Sequence, residues 1–385
     1  MFDHERDAIN PGLNPEQCDV AFEDLYFEIE RSVKLWEDRN HTITQEDTEI
    51  SWRRDAAFRV LVHNNQVRVL ETRHTWENEG YRLRTLAVLS QLHRALLGAA
   101  VLGQTSPTAE FAVTVDDQTL IPNPRNDNHT IWAFARRLVD GDQDRQWLIP
   151  DFNFWSSDPA TGSFAEMRDI ARTYDAYVMD KMAQIVWRGV RWTNEYIRGS
   201  LLNVTKEKAW ADVKEVDWDN QSTIMRMEDM CRFMFVTHTE GRSWSGRLKY
   251  LLNCDSIPIV HELDWTAHFY HLLVPSGPRQ NYIPVKKDFS DLEERVEWYL
   301  RHPEEAQRVA DSSVATFRSR YTTPAAEACY WRRLLVGWSD VAFVPEPYET
   351  VVVTINGTAT EEKRLRGIAF EKFIHLEGNY PPETR

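Results

Sequence analysis

The clearest signal along the chain is where apolar residues fall relative to polar ones. Phe22, Leu25, Tyr26, Ile29, Val33 and Trp36 recur at helical spacing, which predicts an amphipathic helix over residues 20–37 with one face on a core. Two short β-rich runs follow, Phe58 to Val62 and Val67 to Leu70, joined across Asn64-Asn65, a pair that tolerates the left-handed backbone of a tight hairpin turn. Tyr81, Leu83, Leu86, Leu89, Leu92 and Leu96 restore the helical period as far as Gly98. Glu110 to Val115 then reads as a buried strand that stops at the acidic pair Asp116-Asp117.

Trp147 to Phe154 predicts a strand-to-loop step, and the stripe Ile170, Tyr174, Tyr177, Met182 and Ile185 predicts a long helix closing at Trp187-Arg188-Gly189. Beyond a polar stretch around residues 203–222, strands at Phe233 to Val236, Ile257 to Val260 and Tyr282 to Val285 alternate with a helix at Ser245 to Leu252. Such alternation implies parallel βαβ units with ligands held at the carboxyl ends of the strands, hence a Rossmann-like second lobe. Ser290 to Arg301 and Pro303 to Arg320 predict two more helices, and the tail from about residue 350 is strand-like and then polar. There is no internal repeat and no low-complexity segment.

Length and composition narrow the class. A chain of 385 residues exceeds the usual size of one core, so two lobes are expected. The net charge of −15 opposes attraction to nucleic acid phosphates and to anionic lipid, which sets aside nucleic acid as a partner. The chain has no 18-residue apolar run, so any membrane association is expected only through a segment absent from it. Five Asn-x-Ser/Thr sequons, at Asn40, Asn128, Asn203, Asn220 and Asn356, hint at a secretory lumen, Golgi or endoplasmic reticulum, and then at a missing signal or anchor segment. Cys18, Cys231, Cys254 and Cys329 form no C-x-x-C pair, which leaves open two disulfides or four buried thiols.

The most informative stretch for chemistry is His238-Thr239-Glu240-Gly241-Arg242-Ser243-Trp244-Ser245-Gly246-Arg247, between a predicted strand and a predicted helix start. Unpaired N–H groups at such a start attract anions, and Arg247 adds a bidentate donor suited to a diphosphate. An ordinary βα turn with a surface arginine fits the same pattern, since neither a Walker A nor a dinucleotide fingerprint is present. Arg188, Arg191 and Arg198 form a second basic cluster, where the chain is expected to cross between lobes, or else a solvated helix end. Asp116 and Asp117 end a strand, where a carboxylate serves as general base or simply as a solvated turn. A glycosidase pairing of Asp117 with Glu110 is a further reading.

Two acidic patterns invite metal readings. A calcium loop opening at Asp140, Asp142 and Asp144 fails, because its sixth and twelfth positions are Arg145 and Asp151 rather than Gly and Glu. Asp217-Trp218-Asp219 sits in a polar flank beside a sequon and reads as a loop. His268 and His271 have no third ligand nearby and read as packed or supporting histidines.

The segments CDVAFEDLYFEIERS, ITQEDTEISW, LIPDFNFW, WRGVRW, MCRFMFVTHTEGRSWSGRLKYLLNC, YIPVKKDFSDL, EEAQRVADSSVATF and ACYWRRLL, in that order, resemble the glycosyltransferase family of fungal capsule-associated proteins and Rumi-type protein O-glucosyltransferases. The resemblance implies an α/β GT-B fold, two Rossmann-like domains facing a central cleft, with boundaries expected at 1–190, 191–345 and a C-terminal extension 346–385. It implies inverting, metal-independent transfer of a sugar, glucose or xylose, from a UDP-sugar to a hydroxyl of a glycan or glycoprotein, with no cofactor. A non-catalytic carbohydrate- or nucleotide-binding relative is the rival. In that frame Arg247, Ser245, Gly246 and Gly241 resemble donor contacts. Arg198 resembles the arginine downstream of the WRG motif, with Arg188 and Arg191 as competitors. Asp117 resembles the general base, with Asp116 its nearest competitor. Gln118 and Thr119 depart from the aromatic and proline expected after that base. The resemblance further implies disulfides Cys231–Cys254 and Cys18–Cys329.

Overall fold

The computed structural model describes residues 3–76, 78–118, 127–139, 141–156, 162–355 and 358–381. Asp140 and the sequon at Asn356 lie outside them.

Two sheets organise the chain. The first has six strands in the order Ile368–Ala369, Gln66–Arg73, Ala57–His63, Ala109–Thr114, Trp132–Ala133 and Trp147–Leu148. The second has five, in the order Ile283–Val285, Ile257–His261, Phe233–His238, Met182–Gly189 and Ala211–Glu215, all parallel. The first is mixed: its hairpin half is antiparallel and only the half from Ala109 to Leu148 is parallel. The fold is therefore α/β, and the carboxyl ends of both parallel sets face a common region.

The hairpin forms where predicted, with Asn64 and Asn65 both at positive φ (51° and 58°). Asn78 caps helix Glu79–Val101, accepting from the Gly80 and Tyr81 amides. The helix expected over 20–37 is two helices: Pro15–Ala21, opened by a capping box at Asn14 and Gln17 and ended where Phe22 leaves helical geometry (φ −131°, ψ 41°), and Phe27–Asp38.

The long helix through Ile185 is not there. A helix Phe164–Arg172 ends early and Met182–Gly189 is a strand, flanked on both sides in the second sheet. A strand buried on both faces carries a continuous apolar run, Ile185-Val186-Trp187, and such a run matches a helical stripe by accident. The second sheet thus begins at Met182, ahead of the border expected at 190. Helix Pro324–Val341, expected in the second lobe, packs on Glu79–Val101 and Phe27–Asp38 of the first. The helix expected over Ser245 to Leu252 shrinks to a single turn, Leu248–Leu251.

Aromatic packing holds the first lobe. Trp132 stacks on Phe111 at 3.6 Å, and Trp338 meets both Trp132 and Trp147 edge-on. Glu110 is fully buried there, clamped by Arg59 and by Arg366 at 2.7 Å. It stands at the opposite end of its strand from Asp117, about 20 Å away at strand rise. Paired hydrolytic carboxylates lie within about 10 Å of each other, so the glycosidase pairing fails.

Both disulfides are present, Cys18–Cys329 and Cys231–Cys254. Asp217-Trp218-Asp219 is an exposed turn, with the Asp219 amide donating to Asp217. His268 is buried among Phe154, Phe269 and Tyr330. Among the described residues no group of His, Cys, Asp and Glu is arranged to hold a metal ion, and no helix is long and apolar enough to cross a membrane.

Candidate functional site

The site lies where the carboxyl ends of the two parallel sets meet. From the second sheet, strand Phe233–His238 runs into the loop Thr239 to Arg247, and strand Met182–Gly189 into Val190 to Thr193. From the first, Ala109–Thr114 delivers Asp116 and Asp117, and Trp147–Leu148 leads to Asp151 and Asn153. A cavity of about 300 Å³ between them is lined by Asp117, Asn153, Trp192, Arg198, Arg84 and the loop from Gly241 to Gly246.

Arg198 lines the cavity, and Arg247 lies close to Arg198 without lining it. Arg198, on the Asn194-capped helix Glu195–Val204, donates to the Glu240 carbonyl at 3.0 Å and the Val190 carbonyl at 2.9 Å. Arg247 sits 5.4 Å above the Trp187 ring, and its Nε and Nη1 are buried without any hydrogen-bond partner. Burial, reinforced by Arg198, pushes Arg247 down to about 9, while burial alone pushes Arg198 to about 10. Burial, the neighbouring His261 and both arginines hold the His238 ring well below its ordinary range, so it stays neutral. Among the described residues neither arginine has a carboxylate partner. Guanidinium charge held away from water is costly unless paired, so these two groups are chemically suited to meet an anion.

The glycines serve close approach. A Cβ at Gly246 would fall 2.6 Å from the Asn153 amide nitrogen and 2.9 Å from the Trp244 ring, and one at Gly241 would fall 3.2 Å from Arg198. The helix that follows Arg247, Leu248–Leu251, is too short to contribute the sizeable dipole that the sequence pattern expected at that point.

Asp117 faces the cavity half exposed. Its Oδ1 accepts from Arg84 Nη1 at 2.8 Å, and its backbone carbonyl accepts from Ser243 at 2.5 Å, tying the base candidate of one lobe to the loop of the other. Asp116 turns aside to the buried Arg53 at 3.1 Å and does not line this cavity. Arg188 points the other way along its strand, where Asp212 neutralises it at 2.7 Å, and Arg191 lies at the surface beside Glu195. Of the three rival arginines only Arg198 reaches the cavity.

Sequence reasoning passed over several participants. Arg84 and Trp192 line the cavity from a helix and a turn whose partners are remote in sequence. Lys249, two residues past Arg247, donates to both Asp151 carboxylate oxygens and to the Gly246 carbonyl, anchoring the loop. Glu240 accepts from the Asp264 and Trp265 amides at 3.1 and 2.8 Å, pinning the loop from the side, and burial raises its carboxyl to about 7. The motif SWSGRLK and the segment PDF held the only available signal for the Lys249–Asp151 pair.

The model of glycosyl transferase family 90 matches residues 16–364. Protein O-glucosyltransferase 1 of Bos taurus is 25% identical over 256 residues, 60% of this chain and 62% of that protein. An O-glucosyltransferase rumi homolog of Aedes aegypti is 27% identical over 209 residues, 49% of this chain and 51% of that protein. Protein O-glucosyltransferase 3 of Rattus norvegicus is 29% identical over 120 residues, 31% of this chain and 23% of that protein. The chain thus spans about half to three fifths of the length of the first two.

Proposed function

Because the chain belongs to glycosyl transferase family 90, we propose that it transfers a sugar, with inversion and without a metal, from a UDP-sugar to a hydroxyl of a glycan or glycoprotein. The two sheets then correspond to the two lobes of a GT-B arrangement, donor in the second and acceptor in the first. The observation that carries the reading is Arg198, which lines a cavity that reaches Asp117, together with the adjacent half-buried Arg247, whose Nε and Nη1 are buried; neither arginine has an anionic partner among the described residues.

In this mechanism Asp117 takes the proton of the acceptor hydroxyl, and the oxygen attacks the anomeric carbon from the face opposite the leaving group. The bond to the diphosphate breaks in the same displacement, which inverts the centre. Arg247 and Arg198 offset the charge that grows on the departing diphosphate. Gly241 and Gly246 let the backbone approach the donor, and Ser245 adds a hydroxyl. Asp116 is the poorer base on geometry, since Arg53 holds it away.

Two disulfides, and exposed sequons at Asn40, Asn203 and Asn220, support a secretory lumen as the compartment. The test is UDP release across a panel of UDP-sugars, in chelator, with Arg247→Ala and Asp117→Asn as controls. Chelator-insensitive release that both substitutions abolish identifies the donor. UDP binding without release under every donor and acceptor tried would instead make the chain a binding relative.

A further inference from the structure

A second cavity of about 220 Å³ adjoins the first across Asp117, Arg84 and Arg242. Its remaining walls are Asn78, Gly80, Tyr81, Asp116 and Gln118. Asn78, Tyr81 and Arg84 come from one face of the start of helix Glu79–Val101, spaced three apart. Gln118 and Arg242 close the far side, joined by a hydrogen bond from Gln118 Nε2 to the Arg242 carbonyl at 3.3 Å. The Arg242 guanidinium lies over the exposed Trp192 ring at 4.8 Å.

Three features define what fits. The space holds about seven waters at roughly 30 Å³ each, which suits one sugar ring rather than a stretch of polypeptide. No aliphatic side chain lines it among the described residues, whereas a docked protein surface needs apolar anchors over a far larger area. The wall offers donors and acceptors side by side: the Asn78 amide nitrogen, the Tyr81 hydroxyl, the Gln118 amide oxygen and the Arg242 guanidinium make no side-chain hydrogen bond within the described residues. A ring of hydroxyls, each both donor and acceptor, matches such a wall, and an aliphatic or purely anionic group does not.

We propose that this cavity is the acceptor subsite and that its occupant is a single pyranose or furanose ring, whose hydroxyl is presented to Asp117; the reacting acceptor is then a glycan, not a polypeptide side chain. The proposal rests on the reading of Asp117 as base and of the adjoining cavity as the donor site. Tyr81 and Gln118 are its specificity-determining residues.

Saturation-transfer NMR with a panel of methyl glycosides of neutral hexoses and pentoses, run with and without UDP, tests it. At least one glycoside is expected to bind the wild type, at least tenfold weaker in Tyr81→Ala and in Gln118→Ala, with UDP affinity within twofold of wild type and Trp218→Ala unchanged in both. Gln118 is exposed, so its variant remains informative if Tyr81→Ala fails to fold. UDP binding with no glycoside bound, or glycoside affinity untouched by both substitutions, overturns the subsite. Glycoside binding that responds to both substitutions while UDP does not bind at all leaves the subsite standing and removes the donor reading.

Discussion

Lys249 and Asp151 form a buried ion pair across the two lobes, with the ammonium 2.6 and 2.7 Å from the two carboxylate oxygens and 2.9 Å from the Gly246 carbonyl. Burial pushes the amine down to about 8, opposed by the Asp151 charge. Removing one partner strands the other charge in the core. Asp151→Asn and Lys249→Met are each expected to cost about 3–5 kcal/mol in urea unfolding, whereas Asp151→Leu with Lys249→Met should restore most of that. The double variant still loses the tie to Gly246, so its UDP affinity stays reduced.

Arg247→Ala and Arg198→Ala are each expected to weaken UDP binding by about tenfold to a hundredfold, as loss of a charged hydrogen bond implies. Arg188→Ala should leave UDP affinity near wild type and lower stability instead, because its partner is Asp212. Titration calorimetry separates the two outcomes, and equal losses for all three would contradict the placement of the site.

Arg84 holds the Asp117 carboxylate and the Val115 carbonyl with one nitrogen, at 2.8 and 3.0 Å. Arg84→Ala is expected to lower kcat with little change in UDP affinity, and Arg84→Lys to recover part of it. Asp117→Asn should cost about 10²–10⁴ in kcat, and Asp116→Asn much less. Steady-state kinetics on the identified donor checks both.

The Glu240 carboxyl, raised by burial to about 7, binds its proton more tightly in the folded chain than in the unfolded one. Its contribution is therefore full below about pH 4.5 and is lost as pH rises through about 7, a change on the order of 3 kcal/mol. Urea unfolding between pH 4.5 and 8 should show wild type losing this increment and Glu240→Gln lacking it.

The disulfide Cys18–Cys329 closes a separation of 311 residues and Cys231–Cys254 one of 23. Loop-closure entropy puts their removal at about 6 and about 3 kcal/mol. Paired Cys→Ala variants of each, compared by thermal unfolding, are expected to rank in that order.

What the sequence by itself determined is whatever depends on near neighbours. The Asn64-Asn65 turn and the alternation that announces a parallel second sheet both rest on spacing within a few residues. The motifs that carry the resemblance contain Gly241, Ser245 and Arg247, and the structure puts Gly241 and Ser245 in one cavity with Asp117. What only the tertiary structure decided is which of several equivalent local candidates faces the cavity. Arg188, Arg191 and Arg198 are alike in sequence, yet Asp212 takes the first and Glu195 the second, leaving Arg198 beside Arg247. Asp116 and Asp117 are likewise separated by Arg53 and Arg84, which approach from distant segments. Lys249 and Asp151 could not be paired from spacing because a pair 98 residues apart leaves no periodic trace. Met182–Gly189 was misread because burial on both faces erases the alternation that marks a strand. Charge pairing and burial are properties of three-dimensional neighbourhoods, and they assigned the roles that local pattern left open.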